Sequence, residues 1–400
     1  GRREADEANK PAEVEAIEAF LLSQAEFRHN VITHHCEIRW TEEAGFLPLT
    51  DRDVNTLWGR MNKTVGRVYL TDIYNVIHSE FVPLFNPFQS YFDHLPSWDG
   101  VSDPIGDLAD TVHVKSDQAE FRDYFRKWFV GILPALLDDT VVNHEILVLI
   151  GEQGLYKTTW FNFLLPPELR CYFYTKTNSD RLNKDDLFSL TEFALICFEE
   201  LDGMRPAELN QLKAMVTMPY VNERAAYGRN KERHPHIASF CGTGNNVQFL
   251  TDPTGNRRWL PFEVSQIRDP HLHAIPYELV YSQAYALWKS GFCHWFSQEE
   301  IRKLNMHNSR FEVPNLEEDL IRTHFRKPFE GEAGIFVTAA DILEQISSCL
   351  RYPLSPNKIG RIMAGLEFES IRYKGKRGYI TVKKTGEDID RERRSGALGL

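Results

Sequence analysis

A lysine and two threonines that follow a glycine-containing turn are the first candidates for chemistry in this chain. The segment GEQGLYKTT supplies Gly151, Gly154, Lys157, Thr158 and Thr159. It follows the phosphate-binding pattern G-x-x-x-x-G-K-[ST], in which backbone N–H groups and the lysine hold phosphate oxygens and the hydroxyl helps to hold Mg²⁺. Tyr156 replaces the second glycine of that pattern. If the position needs a positive φ, the tyrosine costs about 1 to 2 kcal/mol. For this segment alone, an ordinary strand–turn–helix connection with an exposed lysine is the alternative.

Carboxylate and amide side chains follow two later apolar segments. Glu199 and Glu200 end the first apolar segment, with Asp202 slightly later, and Asn245 ends the apolar part of residues 237–250. One acid at the end of a buried strand can hold Mg²⁺ through water, and the next can polarise an attacking water. An amide on a neighbouring strand can order that water or contact a γ-phosphate. Strands that simply meet solvent at polar residues are the alternative, so each motif is weak by itself.

Two groups of basic residues complete the set of candidates. Residues 219–236 predict a basic hairpin with its turn at Gly228, and its candidate DNA-contacting residues are Arg224, Arg229, Lys231 and Arg233. Arg257 and Arg258 follow a second turn, from which one of them can face a neighbouring subunit's nucleotide. Such an arginine finger contributes about 10³ to 10⁵ in rate. A solvated loop is the alternative for the hairpin, and a structural salt bridge is the alternative for either arginine.

A strand and a helix must position the phosphate loop. The apolar residues Ile146 to Ile150 predict a buried strand, and a helix is expected from Lys157 to Leu165, where two prolines stop it. The loop then opens a helix N-terminus, whose dipole favours anions.

The residues ahead of this strand predict a mainly helical region. Its expected elements are helices at 12–29, 51–64, 71–81 and 118–135, a strand within 30–40 and a packed aromatic turn at 86–100. The last of these helices begins with Asp117 as N-cap and Glu120 at the capping-box position. Its aromatic face predicts core packing, with stacking on unpaired bases as the alternative.

Composition limits the class of protein. The chain has 400 residues, 42% of them hydrophobic, which is enough for two or three domains with sizeable cores. Its net charge of -11 argues against a protein coated all over in nucleic acid. Six cysteines without a C-x-x-C pair indicate neither a disulfide framework nor a zinc ribbon. The chain has no apolar run approaching the ~18 residues of a membrane helix and no secretory signal, so we expect a soluble cytoplasmic protein without a membrane partner.

The C-terminal residues depart from this acidic composition. Residues 357–384 carry eight Lys or Arg against two acids, a net charge of +6. We expect a helix through residue 350 that begins with a capping box of Thr338 and Asp341, a second helix at 355–366, and strands at 367–373 and 379–383 joined by the basic turn KGKRG. This order resembles a winged helix, whose hairpin meets phosphates. Its candidate DNA contacts are Lys374, Lys376 and Arg377. A small packing domain is the alternative, and the charge favours DNA contact.

Five motifs in order resemble the virulence-associated protein E family, a superfamily 3 helicase-type ATPase of phages and mobile elements. They are GEQGLYKTT, ICFEELDGM, AAYGRNKERHP, SFCGTGNN and DPTGNRRWLPFEV. The similarity is greatest to members that are encoded beside primases or fused to them, and it covers most of residues 86–264. Five motifs in the family's order are far more specific than any one of them.

The resemblance implies a role for each matching residue. Lys157 and Thr158 become the phosphate and Mg²⁺ contacts, Thr158 and Glu199 the metal-holding pair, Glu199 and Glu200 the acidic pair, and Asn245 the sensor. Arg257 or Arg258 becomes a finger that acts across a subunit interface, and Arg229 with its basic neighbours faces a central DNA channel. The implied cofactors are ATP and Mg²⁺. The implied partners are DNA, single-stranded or forked, further copies in a hexameric ring, and a primase.

We therefore expect an α/β fold built on a P-loop AAA+-type ATPase core. The predicted organisation is a mainly helical N-terminal region at 1–140, the superfamily 3 helicase-like core at 141–310, a linker at 311–333, a winged-helix-like DNA-binding domain at 334–385 and a mobile tail at 386–400.

Three functions are compatible with these residues. The leading one is an ATP- and Mg²⁺-dependent DNA helicase or translocase that acts in replication of a mobile genetic element or phage. A nucleotide-regulated initiator or loading scaffold with slow hydrolysis and no processive unwinding is the second, motivated by Tyr156 and the winged-helix-like end. A kinase of small metabolites is the third, and the arginine pair and basic hairpin disfavour it.

Overall fold

The computed structural model describes residues 13–177, 184–223, 232–251, 256–314, 316–329, 331–347, 356–386 and 388. The chain divides into two compact units, residues 1–312 and 313–400. Both contain helices and sheets, which makes the fold a mixed α/β fold. Among the described helices, none combines the length and apolar character that crossing a membrane requires.

The first unit begins with a small sheet packed against helices. The helices are α1 (Val14–Gln24), α2 (Asp51–Thr64) and α3 (Leu70–Ile77), and the strands are β1 (Ala25–Asn30), β2 (His35–Trp40), β3 (Leu47–Pro48) and β4 (Leu84–Phe85), in the order β3-β2-β1-β4. The predicted helix over 12–29 is therefore wrong after Gln24. Residues 25–30 pair with β2 because alternate side chains, among them Ala25 and Phe27, enter a core shared with the helices.

Three further helices lead to the main sheet. They are α4 (Pro87–Asp93), α5 (Pro104–Ala109) and α6 (Gln118–Leu137). The aromatic stretch 86–100, predicted as a turn, contains α4, which Asn86 caps by accepting N–H groups of Phe88 and Gln89. The aromatic face of α6 is buried in the core, so it is not available for stacking on bases. Asp117 caps α6 as predicted, but Glu120 does not close a capping box. Its carboxylate lies 2.9 Å from His307 Nδ1 instead.

A six-stranded sheet forms the centre of the first unit. Its strands are β5 (Val112–Val114), β6 (Ile146–Ile150), β7 (Phe173–Lys176), β8 (Leu195–Phe198), β11 (Ser239–Gly244) and β12 (Trp259–Ile267), in the order β5-β12-β6-β11-β8-β7. All neighbours are parallel except β5, which pairs antiparallel with β12. Strand β5 comes from the predicted N-terminal region, so that region contributes directly to this sheet. The five residues of β6 are all buried, which is typical of a parallel strand covered on both faces.

The first unit also contains helices and strands outside these two sheets. They are α7 (Lys157–Phe163), α8 (Lys184–Glu192), α9 (Pro206–Val216), the antiparallel strands β9 (Tyr220–Glu223) and β10 (Glu232–Pro235), α10 (Tyr277–Lys289) and α11 (Gln298–Asn308).

The second unit is a small α+β fold. It contains α12 (Leu316–His324), β13 (Phe325–Arg326), β14 (Ile335–Val337), α13 (Ala339–Ser347), α14 (Pro356–Gly365), β15 (Ser370–Tyr373) and β16 (Lys376–Lys383). The segment predicted as a linker thus folds into α12 and β13, whose Ile321 and Phe325 join the core of this unit. The predicted capping box is present, because Asp341 accepts the Thr338 N–H at 2.7 Å and Thr338 Oγ1 accepts the Asp341 N–H at 3.3 Å.

Candidate active site

Four of the predicted catalytic residues, Lys157, Glu199, Glu200 and Asn245, meet at one edge of the six-stranded sheet. Strands β6, β8 and β11 are parallel, so their carboxyl ends meet at the same edge. The segment predicted to bind phosphate follows β6 there, Glu199 and Glu200 follow β8, and Asn245 follows β11. Ligands of open parallel sheets bind outside this edge. A cleft of about 420 Å³ lies here, lined by Gln153, Gly154, Leu155, Tyr156, Lys157, Thr158, Thr159, Glu199, Glu200, Thr243, Gly244 and Asn245.

The loop itself contains two residues in the left-handed region. Gly154 has φ 89°, and Tyr156, which precedes the first residue of α7, has φ 60°. The tyrosine therefore occupies the conformation that the missing glycine would adopt without strain. Gly151 is required for a different reason. A Cβ on it would lie 2.9 Å from the carbonyl oxygen of Val264 and 3.1 Å from the side chain of Leu155.

Lys157 is buried at the mouth of this loop, with 8% of its surface exposed. Its Nζ donates to the carbonyl oxygens of Gly151 at 2.7 Å and Glu152 at 2.8 Å. A third bond reaches Asn245 Oδ1 at 3.4 Å. Burial lowers the pKa of Lys157, and the negative charge of Asp202 opposes this shift. An anion in the cleft would also favour the charged ammonium.

The hydroxyl and carboxylate predicted to hold a metal lie side by side. Thr158 Oγ1 donates to Glu199 Oε1 at 2.8 Å. Two hard oxygen atoms in contact are the kind of donor set that suits Mg²⁺, which usually keeps several waters and takes further oxygens from substrate phosphates. No cluster of three or more His, Cys, Asp or Glu able to hold a metal occurs among the described residues. The donor set therefore fits a phosphate-bound Mg²⁺ better than a metal held by protein alone.

Glu200 lines the same cleft from a strained backbone. Its φ is 54° and its ψ is 44°, at the point where the chain turns from β8 into the one-turn 3₁₀ helix Leu201–Gly203. Non-glycine residues in this region cost about 1 to 3 kcal/mol and cluster at functional sites.

Asp202 lies beside the cleft, and the sequence predicts no separate role for it. Its two carboxylate oxygens accept the backbone N–H groups of Asn245 and Asn246 at 3.1 and 3.0 Å. The acidic side chain was visible in the sequence, but its partners are 43 and 44 residues away along the chain. Only the adjacency of β8 and β11 reveals the contact.

The arginine pair lies at the opposite edge of the sheet. Arg257 and Arg258 form a one-turn 3₁₀ helix directly before β12, and Trp259 pairs with Ile146, the first residue of β6. The loop follows the last residue of β6, about 13 Å farther along the strand at about 3.3 Å per residue. The structure therefore does not bring the two arginines together with Lys157 of the same chain.

Buried polar residues hold the arginine turn in place. Asn308 Nδ2 donates to the carbonyl oxygens of Asn256 at 2.7 Å and Trp259 at 3.0 Å. Asn256 Nδ2 donates to Glu312 Oε1 at 2.8 Å. Burial lowers the pKa of Arg258, assisted by the neighbouring Arg257. Within the described parts of the chain neither arginine forms an ion pair, so the salt-bridge alternative gains no support.

The structure describes the two strands at the base of the predicted basic hairpin. Strands β9 and β10 pair antiparallel, and the exposed Arg233 places its guanidinium 3.3 Å from the ring centre of Tyr220. Arg224, Arg229 and Lys231 lie outside the described residues.

The second basic hairpin has a shorter turn than predicted. Arg372 pairs with Arg377 and Tyr373 with Lys376, which leaves Lys374 and Gly375 as a two-residue turn with both φ angles positive. Lys376 and Arg377 are thus exposed strand residues of β16, because the strand begins three residues earlier than the apolar pattern predicted.

Replacing Tyr156 by glycine tests the strain in the loop. We expect Tyr156→Gly to raise the free energy of unfolding by up to about 1 kcal/mol, because glycine adopts φ 60° without the steric cost. Tyr156→Ala is the matched control, since it removes the ring and keeps the strain. Denaturant unfolding measures both, and a glycine variant no more stable than the alanine variant would contradict the prediction.

Solved structures and a protein-family model are similar to this chain. The chain is similar to three solved structures titled as apo forms of the NrS-1 C-terminal region. One, of residues 305–718, is 11% identical with a TM-score of 0.48 and 92% of this chain and 98% of that chain covered. An A form is 12% identical, with a TM-score of 0.46 and the same coverage. Another A form is 12% identical, with a TM-score of 0.49 and 92% and 99% covered. No curated protein matches the chain.

A family model for the virulence-associated protein E-like domain matches residues 93–313, more than half of the chain. The match spans the sheet, the cleft and the arginine turn. The chain therefore belongs to the virulence-associated protein E-like family.

Proposed function

We propose that this protein is an ATP- and Mg²⁺-dependent DNA helicase or translocase, with a P-loop AAA+-type core, that acts in replication of a mobile genetic element or phage. The observation that carries the proposal is the meeting of Lys157, the Thr158–Glu199 pair and Asn245 in one cleft at the carboxyl edge of a parallel sheet. Family membership supports it. The exposed Lys374, Lys376 and Arg377 of the second hairpin supply a surface of the charge that DNA requires.

The proposed reaction is hydrolysis of the terminal phosphate of ATP. A water oxygen bonds to the γ-phosphorus, the bond from that phosphorus to the bridging oxygen breaks, and ADP, inorganic phosphate and a proton leave. Lys157 exchanges its bonds to Gly151 and Glu152 for phosphate oxygens and balances their charge. Thr158 and Glu199 are the residues that would hold Mg²⁺, which neutralises charge developing on the phosphates.

Glu200 and Asn245 act on the attacking water in this proposal. Glu200 accepts a hydrogen bond from the water and polarises it, while the Asn245 amide orients it beside Lys157. Holding water and phosphate in line is the larger part of catalysis in phosphoryl transfer, because the transition state requires little covalent chemistry from the protein.

The arginine turn supports assembly of several copies into a ring. Arg257 and Arg258 lie at the edge of the sheet opposite the cleft, so neither is positioned to serve the nucleotide of its own chain. A head-to-tail interface brings one subunit's amino edge to its neighbour's carboxyl edge and closes into a ring when the rotation permits. We propose a hexamer in which one of these arginines completes the neighbouring site. A primase is a further proposed partner.

A nucleotide-regulated DNA-binding scaffold is the second candidate function. The left-handed Tyr156, 41% exposed in the loop, is the observation that favours it, because strain and a bulky ring at this position can slow turnover. Strand displacement on a forked duplex separates the two functions. Robust unwinding excludes the scaffold, whereas DNA binding without unwinding supports it.

Loss of Lys157 tests the core of the proposal. We expect Lys157→Ala to reduce DNA-stimulated ATP hydrolysis by roughly a hundredfold or more, the size of effect seen when one donor to a developing charge is removed. Lys303→Ala is the control, since that lysine is exposed on α11 and pairs with Glu299 one turn away. Full hydrolysis by the Lys157 variant would overturn the proposed function.

Mixing inactive variants tests the shared site. We expect Glu200→Gln subunits and Arg257→Ala/Arg258→Ala subunits each to be inactive alone. Mixed in equal amounts, they should regain up to about a quarter of the wild-type sites, since each interface of a heterologous ring joins two subunits. The two single arginine variants then identify the finger. An absence of recovery at every mixing ratio would contradict the ring.

Charge reversal in the second hairpin tests its contact with DNA. We expect Lys374→Glu/Lys376→Glu to weaken single-stranded DNA binding and to reduce the slope of log affinity against log salt by roughly 1 to 2. Lys303→Glu changes surface charge outside the hairpin and serves as the control. If the hairpin variant and the wild type show equal salt slopes, this hairpin does not contact DNA.

A further inference from the structure

The Asp202 carboxylate joins the end of one strand to the end of its neighbour. Asp202 lies just after β8, and its two oxygens accept the N–H groups of Asn245 and Asn246, the first two residues after β11. Bonds from a carboxylate to backbone N–H groups are charge-assisted and are stronger than neutral ones. Two consecutive N–H groups on one carboxylate also fix the direction of the loop that carries them.

The surrounding residues are shaped for this contact. A Cβ on Gly244 would lie 3.0 Å from Asp202 Oδ1, so the glycine permits the close approach. A Cβ on Gly242 would clash with the side chain of Leu201, which is buried against it. Leu201 thereby anchors the 3₁₀ turn that carries Asp202. The left-handed Glu200 begins that turn, and its strain persists only where surrounding contacts hold it.

The contact holds the backbone of the residue whose side chain meets Lys157. Asn245 Oδ1 accepts the third hydrogen bond of Lys157, at 3.4 Å. The backbone of the same residue is the one that Asp202 holds. Asp202 also exerts a favourable electrostatic effect on the Lys157 ammonium. It therefore influences both cleft residues without lining the cleft itself.

We propose that Asp202 is a positioning residue that holds Asn245 beside Lys157 and so sets the rate of ATP hydrolysis rather than the affinity for nucleotide. The inference rests on the proposed function. Asn245 acts on the attacking water, whereas nucleotide affinity comes mainly from the loop and Lys157. A displacement of about 1 Å in a positioned group can cost about a hundredfold in rate. Removal of Asp202 thus affects kcat and leaves binding nearly intact.

The test compares Asp202→Ala and Asp202→Asn with a matched control. Asp99 provides that control, because its Oδ1 also accepts two consecutive backbone N–H groups, those of Val101 and Ser102, each at 2.9 Å, outside the cleft. We expect Asp202→Ala to lower kcat by about tenfold to a hundredfold. The dissociation constant for a fluorescent ATP analogue should change by less than about threefold. Asp202→Asn, which keeps one acceptor oxygen, should show an intermediate kcat, and Asp99→Ala should resemble the wild type.

Each possible result either supports or overturns the positioning role of Asp202. Wild-type kcat in Asp202→Ala, an equal loss in Asp99→Ala, or a loss of nucleotide affinity as large as the loss of kcat overturns the positioning role. If Asp202→Ala fails to fold, as thermal melting would reveal, Asp202→Asn decides, and a wild-type kcat in it overturns the inference. A wild-type protein that hydrolyses ATP no faster than Lys157→Ala overturns the proposed function as well, which separates the two failures.

Discussion

A buried ammonium group is the constraint on which the candidate site depends. A charged lysine that has lost most of its water needs hydrogen-bond acceptors, and Lys157 has two loop carbonyls and one amide oxygen. The loop that makes these bonds folds back over the lysine, with left-handed backbone at Gly154 and Tyr156. The bonds also require the end of β11 to approach the loop. Asp202 ties that strand end to the end of β8, so the charges of Lys157 and Asp202 together link the ends of three strands of the sheet.

The direction of the strands separates the proposed chemistry into two parts. The loop with Lys157, the two glutamates and Asn245 lie at the carboxyl ends of the strands, whereas the turn with Arg257 and Arg258 lies at their amino ends. A buried network around Asn308 holds the arginines in place, which makes their distance from their own cleft a fixed property of the fold. Under the proposed function, a single chain therefore carries both halves of a site but not one complete site.

The second unit has a sheet and a hydrophobic core of its own. Its long strand β16 pairs with β13, β14 and β15, and Ile342, Ile359 and Met363 pack in a core of its own. Arg372, Lys374, Lys376 and Arg377 lie exposed on the hairpin of β15 and β16, as is expected for a surface that meets phosphates. Its proposed role in DNA contact depends on this local fold alone.

The sequence by itself determined the elements whose patterns are local. The buried strand at Ile146–Ile150, the helix after Lys157 and the capping box at Thr338 and Asp341 were predictable, because apolar runs, helix starts and caps involve neighbours in the chain. The sequence also predicts a cost at Tyr156 if its φ is positive, and its φ of 60° meets that condition.

Only the tertiary structure decided the contacts between distant segments. Residues 25–30 became a strand because a partner strand and a helical core covered them, against a helical pattern. The Glu120 carboxylate contacts His307, which is 187 residues away along the chain, instead of capping its own helix. Asp202 contacts Asn245 because β8 and β11 are neighbouring strands. Arg257 and Arg258 lie away from Lys157 because β6 and β12 run in the same direction, so the turn before β12 lies at the start of β6 and the loop lies at its end. Strand order and direction are not encoded in local periodicity, so they and the site they assemble had to come from the fold.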